Sequence, residues 1–318
     1  MKNHAFYKPN AVQIELVQGC NRHCSFCGVN GLEAKIHYIS KPVLKRECEL
    51  IAESGYKPRI ILAGHGENVL HPHFINCVKL IRKINPDIEI SLYTNGYSIK
   101  KDYNNILEMF EAGINDIHLD EYTDNKYDYD KLKAVTEKFP NAKFEIMGDK
   151  GVSFYSSRSA TKYRLLVVPA IDEKQISSTR VLTNHCGAGL PPDTSCKDRT
   201  CAHIFRELIF RWDGWVNICC NDFRGQFAIV NCMDESVKCF DDMWRHDTFE
   251  AVRRVMYHKK RIFFPCNVCN AKSLRAGLIP DYKGQETMEE PTKEDIKLVQ
   301  SIGKQPALSV IKKREWEE

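Results

Sequence analysis

Near the amino terminus, Cys20-Asn21-Arg22-His23-Cys24-Ser25-Phe26-Cys27 sets three thiols at a CxxxCxxC spacing. Three thiolates on one loop hold three irons of a cubane cluster, and the fourth iron stays open to a cofactor or substrate. A zinc knuckle is the competing chemistry, but such sites usually draw on four ligands and this loop supplies three. A second set lies far along the chain: Cys201, then Cys219 closing Asp213-Gly214-Trp215-Val216-Asn217-Ile218-Cys219, then Cys266-Asn267-Val268-Cys269. Four thiolates brought together by a hairpin and a helix end complete a closed cubane, with a zinc site on the same cysteines as the alternative. Of the 14 cysteines, Cys48 and Cys77 lie between the first motif and residue 186, nine lie between 186 and 269, and none follows. This clustering points to metal in two places rather than to a disulfide framework. Cys48, Cys77 and Cys239 fall in helical patterns and read as small buried residues. Cys219 is favoured over Cys220 as a ligand because a strand alternates its side chains.

These loops need a scaffold. Apolar runs at 12–17, 60–62, 88–93, 116–119, 143–147 and 164–168 read as strands, and they alternate with helical patterns at 43–52, 74–84, 103–113 and 129–139. Such alternation implies parallel pairing through right-handed crossovers, hence an α/β fold of the partial (β/α)6, TIM-like barrel kind. Past residue 170 the rhythm stops. A Gly-, Pro- and Cys-rich stretch at 183–200 reads as loop, and 207–211 with 216–219 reads as a hairpin around Asp213-Gly214. A helix over 240–256 follows, then a polar extension with a last helix within 291–304, opened by Thr292 and Asp295 as a capping box. The expected division is 1–175, 176–275 and 276–318.

The composition fits a folded protein of 318 residues, with 43% hydrophobic and 28% charged residues and a net charge of +4 that argues for neither nucleic-acid nor membrane-surface binding. Without a long apolar run or a signal-peptide-like start, a cytoplasmic location is expected.

The CxxxCxxC motif, its place after the first strand and the aromatic Phe26 resemble the radical S-adenosylmethionine superfamily. Gly64-His65-Gly66-Glu67 after the second strand resembles that superfamily's glycine-rich turn, with Asn68 where proline is common, and Thr94-Asn95-Gly96 resembles a recurrent segment after the third strand. The resemblance implies a [4Fe-4S] cluster on Cys20, Cys24 and Cys27, whose open iron takes the amino and carboxylate groups of S-adenosylmethionine. It implies cofactor contacts from Phe26, Gly64, Gly66, Glu67, Thr94, Asn95 and Arg158. In the turn, glycines let the backbone approach the cofactor, and Glu67 accepts from the ammonium. His65 reads as a turn residue. Tyr93, His118, Asp120 and Glu121, at strand ends, are candidate chamber residues.

The carboxyl-terminal cysteines, with Asn221-Asp222, Gly225, Trp244 and Arg253 or Arg254, resemble the twitch form of the SPASM domain. That implies one auxiliary [4Fe-4S] cluster on Cys201, Cys219, Cys266 and Cys269. Asn184-His185-Cys186-Gly187-Ala188-Gly189-Leu190 resembles an NRAG-type segment found before this domain, and Cys186 and Cys196 are read as non-ligands. The expected activity is reductive cleavage of S-adenosylmethionine to a 5'-deoxyadenosyl radical that abstracts a substrate hydrogen atom, with flavodoxin or ferredoxin as reductant. Only about ten residues precede the first strand, so neither a cobalamin domain nor a peptide-recognition domain is expected there. A small molecule such as a sugar, cyclitol or nucleoside is the leading substrate, with a peptide maturase and a non-catalytic zinc-binding protein as the alternatives.

Overall fold

The computed structural model describes residues 9–32, 35–148, 162–171, 183–258, 261–271 and 288–302. Its centre is a nine-stranded sheet in the order β11-β10-β9-β1-β4-β5-β6-β8-β7. Here β1 is Ala11–Ile14, β4 Arg59–Leu62, β5 Ile90–Thr94, β6 Asp116–Tyr122, β7 Ala142–Ile146 and β8 Tyr163–Ile171. The remaining three are β9 Glu207–Phe210, β10 Trp215–Asn217 and β11 Val230–Asn231. Pairing is parallel from β9 to β7 and antiparallel at β10 and β11. The protein is thus an α/β fold on a mostly parallel sheet. Val12, Ile14, Ile60, Leu62, Ile90 and Leu92 are fully buried, as expected of strands covered on both faces. A separate ribbon pairs β2 (Val17–Gln18) with β3 (His37–Tyr38).

Helices α1 (Lys41–Glu53), α2 (Phe74–Ile84), α4 (Asn105–Ala112) and α5 (Tyr129–Thr136) match the expected positions. The third pattern begins later than expected, because a short α3 (Tyr97–Lys101) precedes α4 and a left-handed Gly113 ends it. The strand expected over 12–17 breaks at Glu15-Leu16. The helix expected over 240–256 divides into α6 (Phe240–Trp244) and α7 (Asp247–Tyr257). Arg253 explains this break: its guanidinium lies 4.0 Å from the Trp244 ring and donates to the Trp244 carbonyl at 2.6 Å, while His246 accepts from the Thr248 amide. Cys239 accordingly caps α6 and is exposed, not buried as its pattern suggested. The last helix, α8 (Lys293–Ser301), has the expected capping box, and its Asp295 pairs with Arg254 on α7.

The hairpin runs straight into the amino-terminal sheet. β9 lies in register beside β1, Val12 opposite Leu208 and Ile14 opposite Phe210, and both belong to the same core as Trp244, Phe249 and Val252. The carboxyl ends of β1 and β4 thereby meet residues from beyond position 200: Glu15 accepts from the Trp212 amide, and the His65 ring lies against Phe223.

Candidate active site and its two thiol groups

The cysteine loop starts where backbone packs on backbone. Gly19 donates to the His65 carbonyl and accepts from the Glu67 amide, each at 3.0 Å. A Cβ on Gly66 would fall 2.3 Å from the Val17 carbonyl oxygen and 2.4 Å from that of Gly19, so this crossing admits only glycine. Asn68 acts here as proline could not: its Oδ1 accepts from the Leu16 and Val17 amides at 2.8 and 3.1 Å, satisfying the break after β1. Cys27 and the Asn30 side chain both donate to the Cys24 carbonyl, and Arg22 stacks on Tyr122 while pairing with Asp124 at 2.9 Å.

Within the loop Cys24 is buried, whereas Cys20, Phe26 and Cys27 are half-buried. Burial pushes the Cys20 thiol up to about 11 and raises Cys27, and each thiolate would further disfavour its neighbours' charge. Such a set ionises when a cation joins it, which is the condition for metal ligation. The Cys20 sulfur already accepts from the Arg22 amide and the Asn95 side chain, both at 3.4 Å.

Glu67 stands beside this loop, buried, with Thr94 Oγ1 donating to it at 2.8 Å and the Asn95 amide at 2.7 Å. Burial lifts its carboxyl to about 7 despite those bonds, and Asp120 is lifted to about 7 by burial and by the Glu67 charge. No basic side chain among the described residues offsets either shift. A carboxyl raised in the native state contributes stability that is present below its unfolded pKa and lost as pH rises through the native value. The ligand-free protein is therefore expected to lose on the order of 3 kcal/mol through Glu67 between about pH 4.5 and above 7. Thermal unfolding across that range, with Glu67→Gln flattening the profile, checks this; a parent as pH-independent as the variant would contradict it.

The structure brings Cys201, Cys219, Cys266 and Cys269 together. All four are buried, Cys266 feels the charges of the other three, and Cys201 feels those of Cys219 and Cys269. Cys201 precedes the turn into β9, Cys219 follows β10, and the CxxC pair sits on the turn Cys266–Val268. Buried Arg261 joins these pieces by donating to the carbonyls of Arg199, Thr200, Cys269 and Ala271 at 2.7 to 2.9 Å. Cys186 also enters the group, buried against Cys269 and Ala271, while Cys196 instead meets the Asn270 carbonyl.

Cys220 turns away to His203 and Glu207, and the ligand-type atoms of the three lie within 4.8 Å of one another. Glu207 already meets His203 at 2.7 Å, and the Arg206 guanidinium lies 3.3 Å from the same nitrogen. With a fixed positive charge at that point, the group reads as a hydrogen-bonded network.

Other expected residues are placed differently. His118 lies inside β6, bound to Asp116 at 2.7 Å and near Arg164 in a buried network. Glu121 accepts from the Tyr127 amide and the Tyr129 hydroxyl. Arg158 lies outside the described residues. Two participants carried no sequence signal. Glu15 meets His65 Nδ1 at 2.7 Å with both side chains fully buried, and the Phe223 ring fills the space at Gly28 between His65 and His185.

The profile of the Radical SAM superfamily matches residues 14–153, so this part of the chain is similar to a radical SAM domain. The superfamily implies S-adenosylmethionine and a [4Fe-4S] cluster as cofactors, and the thiol loop with Glu67 alongside suits both. GTP 3',8-cyclase of Microcystis aeruginosa is 24% identical over 191 residues, covering 54% of this chain and 52% of that protein. The Trichodesmium erythraeum GTP 3',8-cyclase is 23% identical over 179 residues, with the same coverage of 54% and 52%. The chain thus spans about half the length of the curated relatives it matches. BtrN in complex with AdoMet and 2-DOIA shares the fold with a TM-score of 0.60 at 18% identity, over 83% of this chain and 93% of that one. BtrN in an open conformation gives 0.51 at 14% identity, over 91% and 97%. No helix among the described residues is long and apolar enough to cross a membrane.

Proposed function

We propose that this chain is a radical S-adenosylmethionine enzyme that oxidises or rearranges a small molecule. One observation carries the reading: Asn95 donates from its side chain to the Cys20 sulfur and from its backbone to Glu67, joining the cysteine loop to a buried carboxylate with no cation beside it among the described residues. Cys20, Cys24 and Cys27 hold the cluster. Gly64 and Gly66 bring the backbone close, Glu67 accepts from the cofactor's ammonium, and Thr94 and Asn95 fix the carboxylate. Phe26 flanks the cofactor, and Arg158 is assigned to it from the family resemblance. When bound, the cluster supplies the electron that cleaves S-adenosylmethionine to methionine and a 5'-deoxyadenosyl radical, which takes a hydrogen atom from substrate. Flavodoxin or ferredoxin is the proposed electron donor in a cytoplasmic setting.

Cys201, Cys219, Cys266 and Cys269 hold one auxiliary [4Fe-4S] cluster in a twitch-type region over 176–275, after a partial-barrel core over 1–175. The small-molecule reading draws support from the relatives, since BtrN was crystallised with 2-DOIA and the cyclases are named for GTP. The test is to purify the protein without oxygen, count iron and sulfide, and add S-adenosylmethionine with a reductant. About eight irons per chain and the appearance of 5'-deoxyadenosine are expected. Bound zinc without brown absorbance would overturn the reading.

A further inference from the structure

We propose that the segment 184–190 is a strut between the two thiol groups, and that Gly189 near its end is a positioning residue for S-adenosylmethionine, seating the backbone of residues 26–28 that carries Cys27 and the aromatic beside the cofactor. This rests on the reading of the first cysteine loop as the site of a cluster and its cofactor.

One end of the strut is fixed to the carboxyl-terminal thiol group. The Asn184 side chain donates to the Val268 carbonyl, between Cys266 and Cys269, at 2.7 Å and to that of Pro191 at 3.1 Å. Its oxygen accepts from the Asn270 amide at 3.2 Å, and the Asn270 side chain accepts from the Asn184 amide at 2.7 Å. The segment then closes on itself. The Asn184 carbonyl accepts from the amides of Gly187, Gly189 and Leu190 at 2.9, 3.3 and 3.4 Å. Within this knot His185 (φ 50°) and Cys186 (φ 56°) are left-handed without being glycine, a conformation that persists only where its surroundings enforce it. Arg224 adds a further tie by donating to the Gly187 carbonyl at 3.4 Å.

The other end bears on the first cysteine loop. A Cβ on Gly189 would fall 2.2 Å from the Phe26 carbonyl oxygen, 3.0 Å from the Gly28 nitrogen and 3.1 Å from the Cys27 carbonyl carbon. Gly189 is not left-handed, so it is glycine for the closeness of this approach and not for its dihedrals. Gly28 is a second case, with the Phe223 ring 2.6 Å from where its Cβ would stand. Two parts of the carboxyl-terminal region therefore press on the loop, and neither supplies a thiolate. The path has three links: Val268 and Asn270 hold Asn184, the Asn184 carbonyl holds Gly189, and Gly189 meets the backbone on both sides of Cys27. The last link is backbone against backbone, so a methyl group at 189 has no side chain to push aside and displaces the loop by about 1 Å. Displacements of that size cost both binding and rate at a site whose groups must be held in place.

The test uses the full chain with its clusters loaded and follows the EPR signal of the reduced first cluster as S-adenosylmethionine is added. The parent is measured first, and a signal that does not respond would defeat the assignment of the first loop, and the strut's role with it, before any substitution is made. Gly189→Ala is expected to keep about eight irons per chain and an unchanged auxiliary signal. It should bind S-adenosylmethionine on the order of tenfold more weakly. Asn184→Ala, which removes the clamp without adding an atom, should weaken binding by less. In Asn184→Ala/Gly189→Ala the released segment can retreat from the new methyl, so the affinity should match that of Asn184→Ala alone. Parent-like affinity in Gly189→Ala overturns the inference, and so do losses that multiply in the double variant. Should Gly189→Ala not fold, Asn184→Ala decides alone, with unchanged affinity overturning the inference.

Discussion

Replacing Cys24 with alanine is expected to abolish S-adenosylmethionine cleavage and to remove about four irons per chain. The loop around Cys24 is shaped by backbone groups: its carbonyl accepts from the Cys27 amide and the Asn30 side chain, and Arg22 anchors the loop on Tyr122 and Asp124. None of these contacts uses the sulfur, so alanine leaves the loop intact and deletes one ligand. The remaining pair, Cys20 and Cys27, is too few for a cubane whose fourth iron is already open. Iron analysis and chromatographic detection of 5'-deoxyadenosine after anaerobic incubation with reductant measure the effect, with thermal unfolding to establish that the protein is folded. Cleavage at the parent's rate would end the assignment of this motif.

Cys266→Ala should separate the two centres. About four irons are expected to remain, and 5'-deoxyadenosine should still form while turnover of substrate stops. The physical basis is that the thiols fall into two electrostatic groups. Cys20 feels Glu67, Cys24 and Cys27, whereas Cys266 feels Cys201, Cys219 and Cys269. Arg261 holds the second group through carbonyl oxygens, so the pocket keeps its shape without the Cys266 sulfur. A variant that loses cleavage along with its auxiliary irons, while remaining folded, would show that the second centre is needed before the substrate step.

Much of this could be read from the sequence because it depends on short spacings. The CxxxCxxC loop, α2 at Phe74–Ile84, the turn at Asp213-Gly214 and the Thr292–Asp295 capping box each follow from residues within one or two turns of chain. The split between Cys219 and Cys220, expected from strand alternation, instead arises past the end of β10 at Asn217, where Cys220 turns to His203 and Glu207. Tertiary structure decided which distant pieces meet. Periodicity marks Glu207–Phe210 as a strand but has no information on its neighbour, and burial on both faces places it against β1. The break between α6 and α7 depends on Arg253 reaching the Trp244 carbonyl, and the fate of His65 depends on a glutamate fifty positions earlier. Cys186 and Cys196 look equivalent in a loop rich in glycine and proline. Only the Asn184–Asn270 clamp sets one thiol against Cys269 and leaves the other on a backbone carbonyl. Short-range chemistry is written in the order of residues, while the choice of partners is made by the burial of surfaces that the order does not pair.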